Sequence, residues 1–530
     1  MKQKHHRRFK RIPGLALAAA LGGMATTAAH AAEDGAKSAA DDKDYSFSLS
    51  GYARGWVSMN LQNQPELEQQ GIKSRGKLSM VRGSVLLDAD AKTGPVKWKA
   101  ITRLDREYKT NYLEDLENLR ATNGTAGGES ILKNYDNFDV REFWAETNVG
   151  DRTTVKFGRQ QLVWGESDFF HAMDLVHGYD LSWRLFFEGE NEEWRKPLIL
   201  LSTKIRVPEA SGMLAAYVRP GWDRCQDIGN TYDIGGGRWF FQPYRGFDLN
   251  QVTTKNCNHP AGDFRDVTGG VRWSGEALGL SYSLAYLKTF SADPVASSAS
   301  PGKSYQGVPV IGAVFDRINP KVDVLGATVS GYSDTLDAVL SAEVAYTKDQ
   351  PYNVGSGAFN PANFASGVGN PGIGLNGVKL KNTLTTMLRI DKNLKLEGLL
   401  GTSRPSFSSI QLFDTQVLNY EDNDDLVRLF AYGSKLKEHN TILTAFTTLN
   451  YQNDQINPGF AVGFDLSNGG GFAIPSVSMT LSDKWVAKVE ADIFWDGGRN
   501  NKTQFSGEDS QLFGYFSKAS QLVFRLTRQF

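Results

Sequence analysis

The residues best suited to chemistry concentrate in one run, Phe157-Gly158-Arg159-Gln160-Gln161-Leu162-Val163-Trp164-Gly165-Glu166-Ser167-Asp168, followed by Asp174, Asp180 and Trp183. Charges of both signs in so short a stretch suit an ion-pair network, Arg159 with Glu166, Asp174 or Asp180, flanked by Gln160 and Trp164. Such a network latches an infolded segment or contacts a solute, and both roles stay open. Nucleophilic catalysis would need a Ser or His beside an acid. His171 or His177 near Ser167 and Asp174 is the arrangement that comes nearest. Of the 7 histidines, His5, His6 and His30 lie in the first 31 residues, and His171, His177, His259 and His439 lie in expected loops. The chain is therefore expected not to be an enzyme, and no catalytic residue, metal ligand or cofactor is assigned. Cys225 and Cys257 share a stretch rich in Gly, Asn and Asp in which His259 is the sole histidine. They are expected to staple a loop as a disulfide.

The elements that position these residues alternate with period two. Tyr45, Phe47, Leu49, Ala53, Val57 and Met59 share one face, and Ser46, Ser48, Ser50, Arg54, Ser58 and Asn60 share the other. Successive strand residues face opposite sides, so one face suits lipid and the other a wet lumen. The pattern returns near residues 81–91, 96–105, 140–149, 153–164, 198–207, 213–222, 267–274, 278–289, 322–330, 338–348, 378–390, 394–403, 441–451, 459–466, 473–481, 485–495 and 512–530. Short turns such as Asp391-Lys392-Asn393 alternate with long polar connections. The expected fold is all-β: a transmembrane antiparallel barrel of about eighteen strands, or about sixteen if the pair over 459–481 is misread, with periplasmic termini and infolded outer loops.

The ends and the composition agree. Residues 1–11 carry six basic and no acidic side chains, an Ala/Leu stretch follows, and Ala29-His30-Ala31 ends it, which marks residues 1–31 as a secretory signal peptide. Residues 32–44 form a short periplasmic lead and 45–530 the barrel. Removing the signal leaves 52 Lys+Arg against 59 Asp+Glu, a net charge of −7, so nucleic acid is excluded as a partner. The mean hydropathy of −0.37 and the absence of apolar runs of about twenty residues exclude helical spans. Leu522, Phe524, Leu526 and terminal Phe530 resemble the signal read by the barrel-assembly machinery, with Arg528 out of pattern. The expected location is the Gram-negative outer membrane, among its lipid and lipopolysaccharide.

By this register Arg54, Arg82, Lys97, Arg103, Arg272, Lys381, Arg389, Glu490 and Asp492 face the lumen. Arg159 would land on the lipid face, so a bulge at Gly158 is expected to turn it inward. Residues 169–179 then fold as a short helix or a loop into the pore. Phe169-Phe170, Phe186-Phe187 and Trp239-Phe240-Phe241 stand out as aromatic loop runs that would greet an apolar solute or pack on one another.

The run Gly158-Arg159-Gln160-Gln161-Leu162-Val163-Trp164-Gly165-Glu166-Ser167, with Asp174 and Asp180, resembles the signature of proteobacterial domain-of-unknown-function family 1302, specifically over 155–195 and generally over the barrel. The Gly-Arg-Gln element is also similar to alginate-type export porins. The resemblance implies the outer-membrane component of a system handling hydrophobic compounds or lipids, beside an inner-membrane pump of the resistance-nodulation-division type and a periplasmic lipoprotein-like carrier. A channel for a hydrophobic or amphipathic small molecule, gated by infolded loops, leads on these grounds. An open porin for polar or anionic solutes or oligosaccharides is the alternative, a barrel lipid hydrolase comes behind both, and a structural or adhesive barrel would carry no flux.

Overall fold

The computed structural model describes residues 45–530 apart from 125–128, 186–190, 243–244, 252, 256–265, 297–303, 306–307, 310–314, 358–373, 429–434 and 498–511. The expected signal peptide, the 32–44 lead, Cys257, His259, Phe186 and Phe187 lie outside the described residues.

Among the described residues eighteen strands close into one antiparallel barrel. The first nine are β1 (Tyr45–Asn60), β2 (Leu78–Thr93), β3 (Val96–Glu107), β4 (Asn137–Val149), β5 (Thr153–Gln160), β6 (Leu198–Val207), β7 (Gly212–Arg219), β8 (Thr268–Ala277) and β9 (Leu280–Phe290). The rest are β10 (Lys321–Ser333), β11 (Ala338–Val354), β12 (Val378–Leu394), β13 (Ser406–Val417), β14 (His439–Thr448), β15 (Ile456–Asp465), β16 (Gly471–Ser482), β17 (Trp485–Trp495) and β18 (Gln521–Gln529). Each pairs with its neighbours in sequence, and β1 pairs with β18 from Tyr52↔Gln529 to Asn60↔Gln521. Closure leaves no sheet edge, which a hydrocarbon environment would penalise. Long connections collect at one end of the barrel and mostly short turns at the other, where β1 begins and β18 ends.

Alternation does what the period-two pattern demands. Phe47, Leu49, Leu87, Leu284, Leu325, Leu388 and Phe524 are exposed on the outer face, whereas Arg54, Trp56, Ser58 and Asn60 of β1 are buried on the inner one. Arg528, out of the apolar pattern of β18, lies on the outer face with its guanidinium 5.7 Å from the Trp485 ring. A girdle position tolerates that charge better than mid-bilayer would.

Two strand assignments differ from the sequence reading. The strand expected at 394–403 lies instead at Ser406–Val417: Asp391, Lys392, Asn393 and Leu394 continue β12 and pair with Ser409, Ser408, Phe407 and Ser406 of β13. The connection then runs through a short helical turn, Glu397–Leu400, ended by Gly401 at φ +69°. Polar residues at a strand's end mimic a turn where the strand simply outruns the membrane. The last strand begins at Gln521, with a 3-10 turn, Gly514–Phe516, ahead of it. Between β3 and β4 lies the helix α1 (Asn111–Thr122), where the Thr110 hydroxyl accepts the Leu113 N–H at 3.2 Å. Its Tyr112, Leu113 and Leu116 pack into one cluster with Trp56, Met80 and Trp183.

Candidate functional site: the infolded segment and the lumen walls

The described residues of the connection between β5 and β6, 161–185 and 191–197, cross the lumen and are fastened to strands around most of its circumference. On one side Glu343 of β11 accepts the backbone N–H of Glu166 and, at 3.0 Å, that of Met173. Arg389 of β12 donates to the Glu166 carbonyl at 2.8 Å and reaches Asp168 at 3.3 Å. Gln411 of β13 accepts the Asp168 N–H at 3.2 Å and donates to its carboxylate at 3.1 Å. On the opposite side Arg54 of β1 meets Glu193 at 2.6 Å, Arg103 of β3 donates to the Glu193 carbonyl at 2.7 Å, and Arg141 of β4 donates to the Arg195 carbonyl at 2.7 Å. Arg184 of the segment pairs with Glu490 and, at 3.4 Å, with Asp492, both on β17. Charged partners removed from water hold such geometry firmly, because separating them strands a buried charge.

The segment is folded on itself as tightly as on the wall. Asp174 receives Tyr179 OH at 2.6 Å and pairs with Arg195. Arg195 and His171 hold its carboxyl below the usual range in spite of its burial. The His177 Nε2 accepts the Leu162 N–H at 2.8 Å and Nδ1 donates to the Lys196 carbonyl at 3.0 Å, an arrangement only a neutral ring can make. Burial, with Arg195 adding to it, pushes His177 down to about 3. His171 is stacked on Tyr179 with centroids 4.2 Å apart and is pushed down to about 4 by burial. His177 is not arranged as a general base, since its two nitrogens are both committed to backbone.

The two halves of the lumen differ in chemistry. Strands β1 to β4 contribute Arg54, Arg82, Arg103 and Arg141, all buried, with Asp105 and Glu107 among them. Arg82 sits 3.1 Å from Asp105 and stacks 4.4 Å from the Trp183 ring. Strands β14 to β17 instead turn Phe446, Ala461, Phe472, Ile474 and Phe494 inward, where they form one buried cluster with Trp239, Phe240, Phe241, Phe513 and Phe516 of the loops. Phe169 lies 5.9 Å from both Phe446 and Phe472, and Phe170 lies 5.7 Å from Phe413 of β13. Aromatic edge-to-face pairs of this kind fasten the segment without hydrogen bonds.

The expected network around Arg159 is divided otherwise. Arg159 pairs with Asp227 at 2.8 Å and Asp139 at 3.3 Å, not with Glu166, Asp174 or Asp180. Glu166 lies at the β11–β12 wall within electrostatic reach of Arg272 and Arg389, and burial raises its carboxyl. Asp180 accepts from the Ser182 hydroxyl at 2.6 Å. The expected bulge is also elsewhere: the β5 ladders run through Gly158 without a slip, and the extra residue is Arg141 on β4. Gly158 instead takes φ +131°, with a would-be Cβ 2.3 Å from the Phe143 carbonyl oxygen. Gln160 is buried between strands, donating to the Leu200 carbonyl at 2.9 Å, and Trp164 meets Tyr217 edge-on at 5.3 Å. Residues 169–179 form a loop rather than a helix. Among the remaining lumen candidates, Lys381 pairs with Asp424 at the rim and Lys97 is exposed beside a short turn. Cys225 is disulfide-bonded. The alternation of β11 puts Glu343 on the lumen side, where it is found buried, whereas the Arg141, Glu193 and Arg195 anchors escaped sequence reasoning.

The family described as a protein of unknown function, DUF1302, matches residues 12–510. No curated sequence matches the chain. Among solved structures the chain is similar to OccAB2 of Acinetobacter baumannii, at 7% identity with 91% of this chain and 98% of that one covered and a TM-score of 0.44. It is also similar to OccAB1 of the same organism, at 10% identity, 92% and 97% coverage and a TM-score of 0.42. A third likeness is to OmpF of Salmonella typhi in complex with daunomycin, at 10% identity, 91% and 97% coverage and a TM-score of 0.39.

Proposed function

The chain belongs to the DUF1302 family, and from that premise we propose that it is an outer-membrane channel for a hydrophobic or amphipathic small molecule, closed at rest by residues 161–197. The observation that carries this reading is the apolar inner wall of β14 to β17. A pore for polar solutes gains nothing from Phe446, Phe472 and Phe494 turned inward, whereas an apolar solute displacing Phe169 and Phe170 would find matching surface there. A lipoprotein-like carrier on the periplasmic side and an inner-membrane pump fit the same reading, since an apolar cargo needs an escort through water. The arginine row Arg54, Arg82, Arg103 and Arg141 favours a second reading, a conduit for anions. An amphipathic acid would use both walls.

Single-channel conductance of the refolded protein in planar bilayers tests this, intact and with residues 169–179 deleted. Silence that turns to conductance on deletion is the expected result. A steady conductance from the intact protein would overturn closure by the segment and favour the anion porin.

A further inference from the structure

We infer that the barrel wall has a lateral seam between β16 and β17 at Pro475, through which an apolar solute passes from the aromatic inner wall into the bilayer. The inference rests on the hydrophobic-solute reading above and adds the route. Along β16 and β17 the ladder pairs Gly471↔Trp495, Phe472↔Phe494 and Ala473↔Ile493, omits Ile474 and Pro475, and resumes at Ser476↔Glu490 in the same register. Proline has no N–H to give, so the bond that would close the gap to the Ala491 carbonyl cannot form. Central strands of a sheet avoid proline for this reason, and hydrocarbon punishes the unmet carbonyl more than water does. The neighbouring ladder is intact: Pro475 pairs with Phe460 of β15.

Position gives the gap its meaning. Above it only three residue pairs join the β15–β16 hairpin tip to β17, and the tip turns through Gly469 and Gly470 at φ +87° and +84°. A short flap on a glycine hinge needs few bonds broken to part from its neighbour. Behind the gap the inward side chains on β16 are Phe472 and Ile474 of the apolar wall, and across from them on β17 stand Phe494 and the paired carboxylates Asp492 and Glu490, so the seam opens at the border between the aromatic wall and one charged cluster. Beside it stand Glu490 and Asp492, the β17 residues that Arg184 of the infolded segment holds. Withdrawal of the segment therefore removes the Arg184 tie at the level of the seam and leaves Glu490 to Lys488 and Asp492 to Gln521, on β17 and β18 and not across the seam, which couples opening of the lumen to opening of the wall.

The test uses cells carrying the full-length barrel and the apolar probe 1-N-phenylnaphthylamine, which fluoresces once in hydrocarbon. Ala473→Cys with Ile493→Cys places thiols on paired, outward-facing positions, so a disulfide can bolt the seam and a reductant can release it in the same protein. Oxidation is expected to slow probe entry severalfold and reduction to restore it, against Ala473→Cys alone taken through the same oxidation and reduction, in which the native bridge of Cys225 responds but the seam is not bolted. Pro475→Ala, which restores the missing N–H, is expected to slow entry without any cross-link. Entry that is indifferent to the bolt, yet still faster on deletion of 169–179, would overturn the seam and leave the channel reading intact. Entry no faster than in cells lacking the protein, with or without that deletion, would overturn both.

Discussion

At the scale of single residues, the closed state depends on groups kept in one protonation state by burial. His177 is the clearest case, because its two hydrogen bonds to Leu162 and Lys196 require the neutral ring. Its ordinary value of 6.5 is lowered to about 3 in place, and that of His171 to about 4. When the segment is withdrawn both rings regain ordinary affinity for protons, so acid favours withdrawal. The stabilisation is fully present above pH 6.5, shrinks as the pH falls below it, and is gone near the lowered values. The Asp174–Arg195 pair nearby is held in its charged form and does not oppose this trend. Glu166, its carboxyl raised by burial in the closed segment, works against it, so the expected rise is the effect of the two rings less that of one carboxyl. Conductance is thus expected to be low at neutral pH and to rise below pH 6 or so. His177→Gln, whose amide can both accept and donate without titrating, should blunt the rise. A channel that stays silent to pH 4, or an unchanged rise in the Gln variant, would refute the assignment. Pairings such as Arg159 with Asp227 could not be read from the sequence, because the partner is 68 residues away in the loop that follows β7. A run dense in opposite charges suggests a local network, but the fold spends those charges on distant partners.

At the scale of elements, Gly158 shows how one backbone angle fits the candidate segment to the wall. A φ of +131° and a Cβ that would press on the Phe143 carbonyl at 2.3 Å and the Trp144 Cα at 2.7 Å leave no room for alanine. Gly158→Ala is expected to cost about 1–3 kcal/mol, read as a lower urea midpoint of the folded protein in detergent micelles. Gly83→Ala on β2, where nothing lies within 4 Å, serves as the control and should change little. Equal midpoints for the two variants would show that the ladder absorbs the strain. Strands were the most legible part of the chain, since lipid and lumen impose period two on every one of them. The failures share a physical cause: Asp391, Lys392 and Asn393 look like a turn because nothing apolar is demanded of a strand beyond the bilayer. Phe446, Phe472 and Phe494 fall on the inward parity of their strands, but the sequence offers no sign that this stretch of lumen is dry rather than wet.

At the scale of the whole molecule, the barrel and its filling are held by different forces, and their stabilities should separate. Every barrel strand pairs with two neighbours, with the β16–β17 ladder lapsing over Ile474 and Pro475, and in hydrocarbon no water competes for these bonds. The 161–197 segment instead hangs on side-chain anchors, such as Glu343 gripping the Glu166 and Met173 N–H groups, and on aromatic contacts such as Phe169 with Phe446. Local opening draws on the weakest such unit, without global unfolding. Amide hydrogen exchange is therefore expected to proceed through the segment well ahead of strands β11 and β12 that carry its anchors, and to accelerate there selectively on acidification. Deleting residues 169–179 should leave the barrel's own thermal transition within a few degrees of the intact protein, because no ladder bond is removed. If segment and strands instead exchange at one rate, or the deletion collapses the barrel, then the filling is part of the scaffold. A channel could not then empty its lumen without dismantling its wall, and passage would have to follow whatever fixed path the closed state leaves between Arg103 and Phe472.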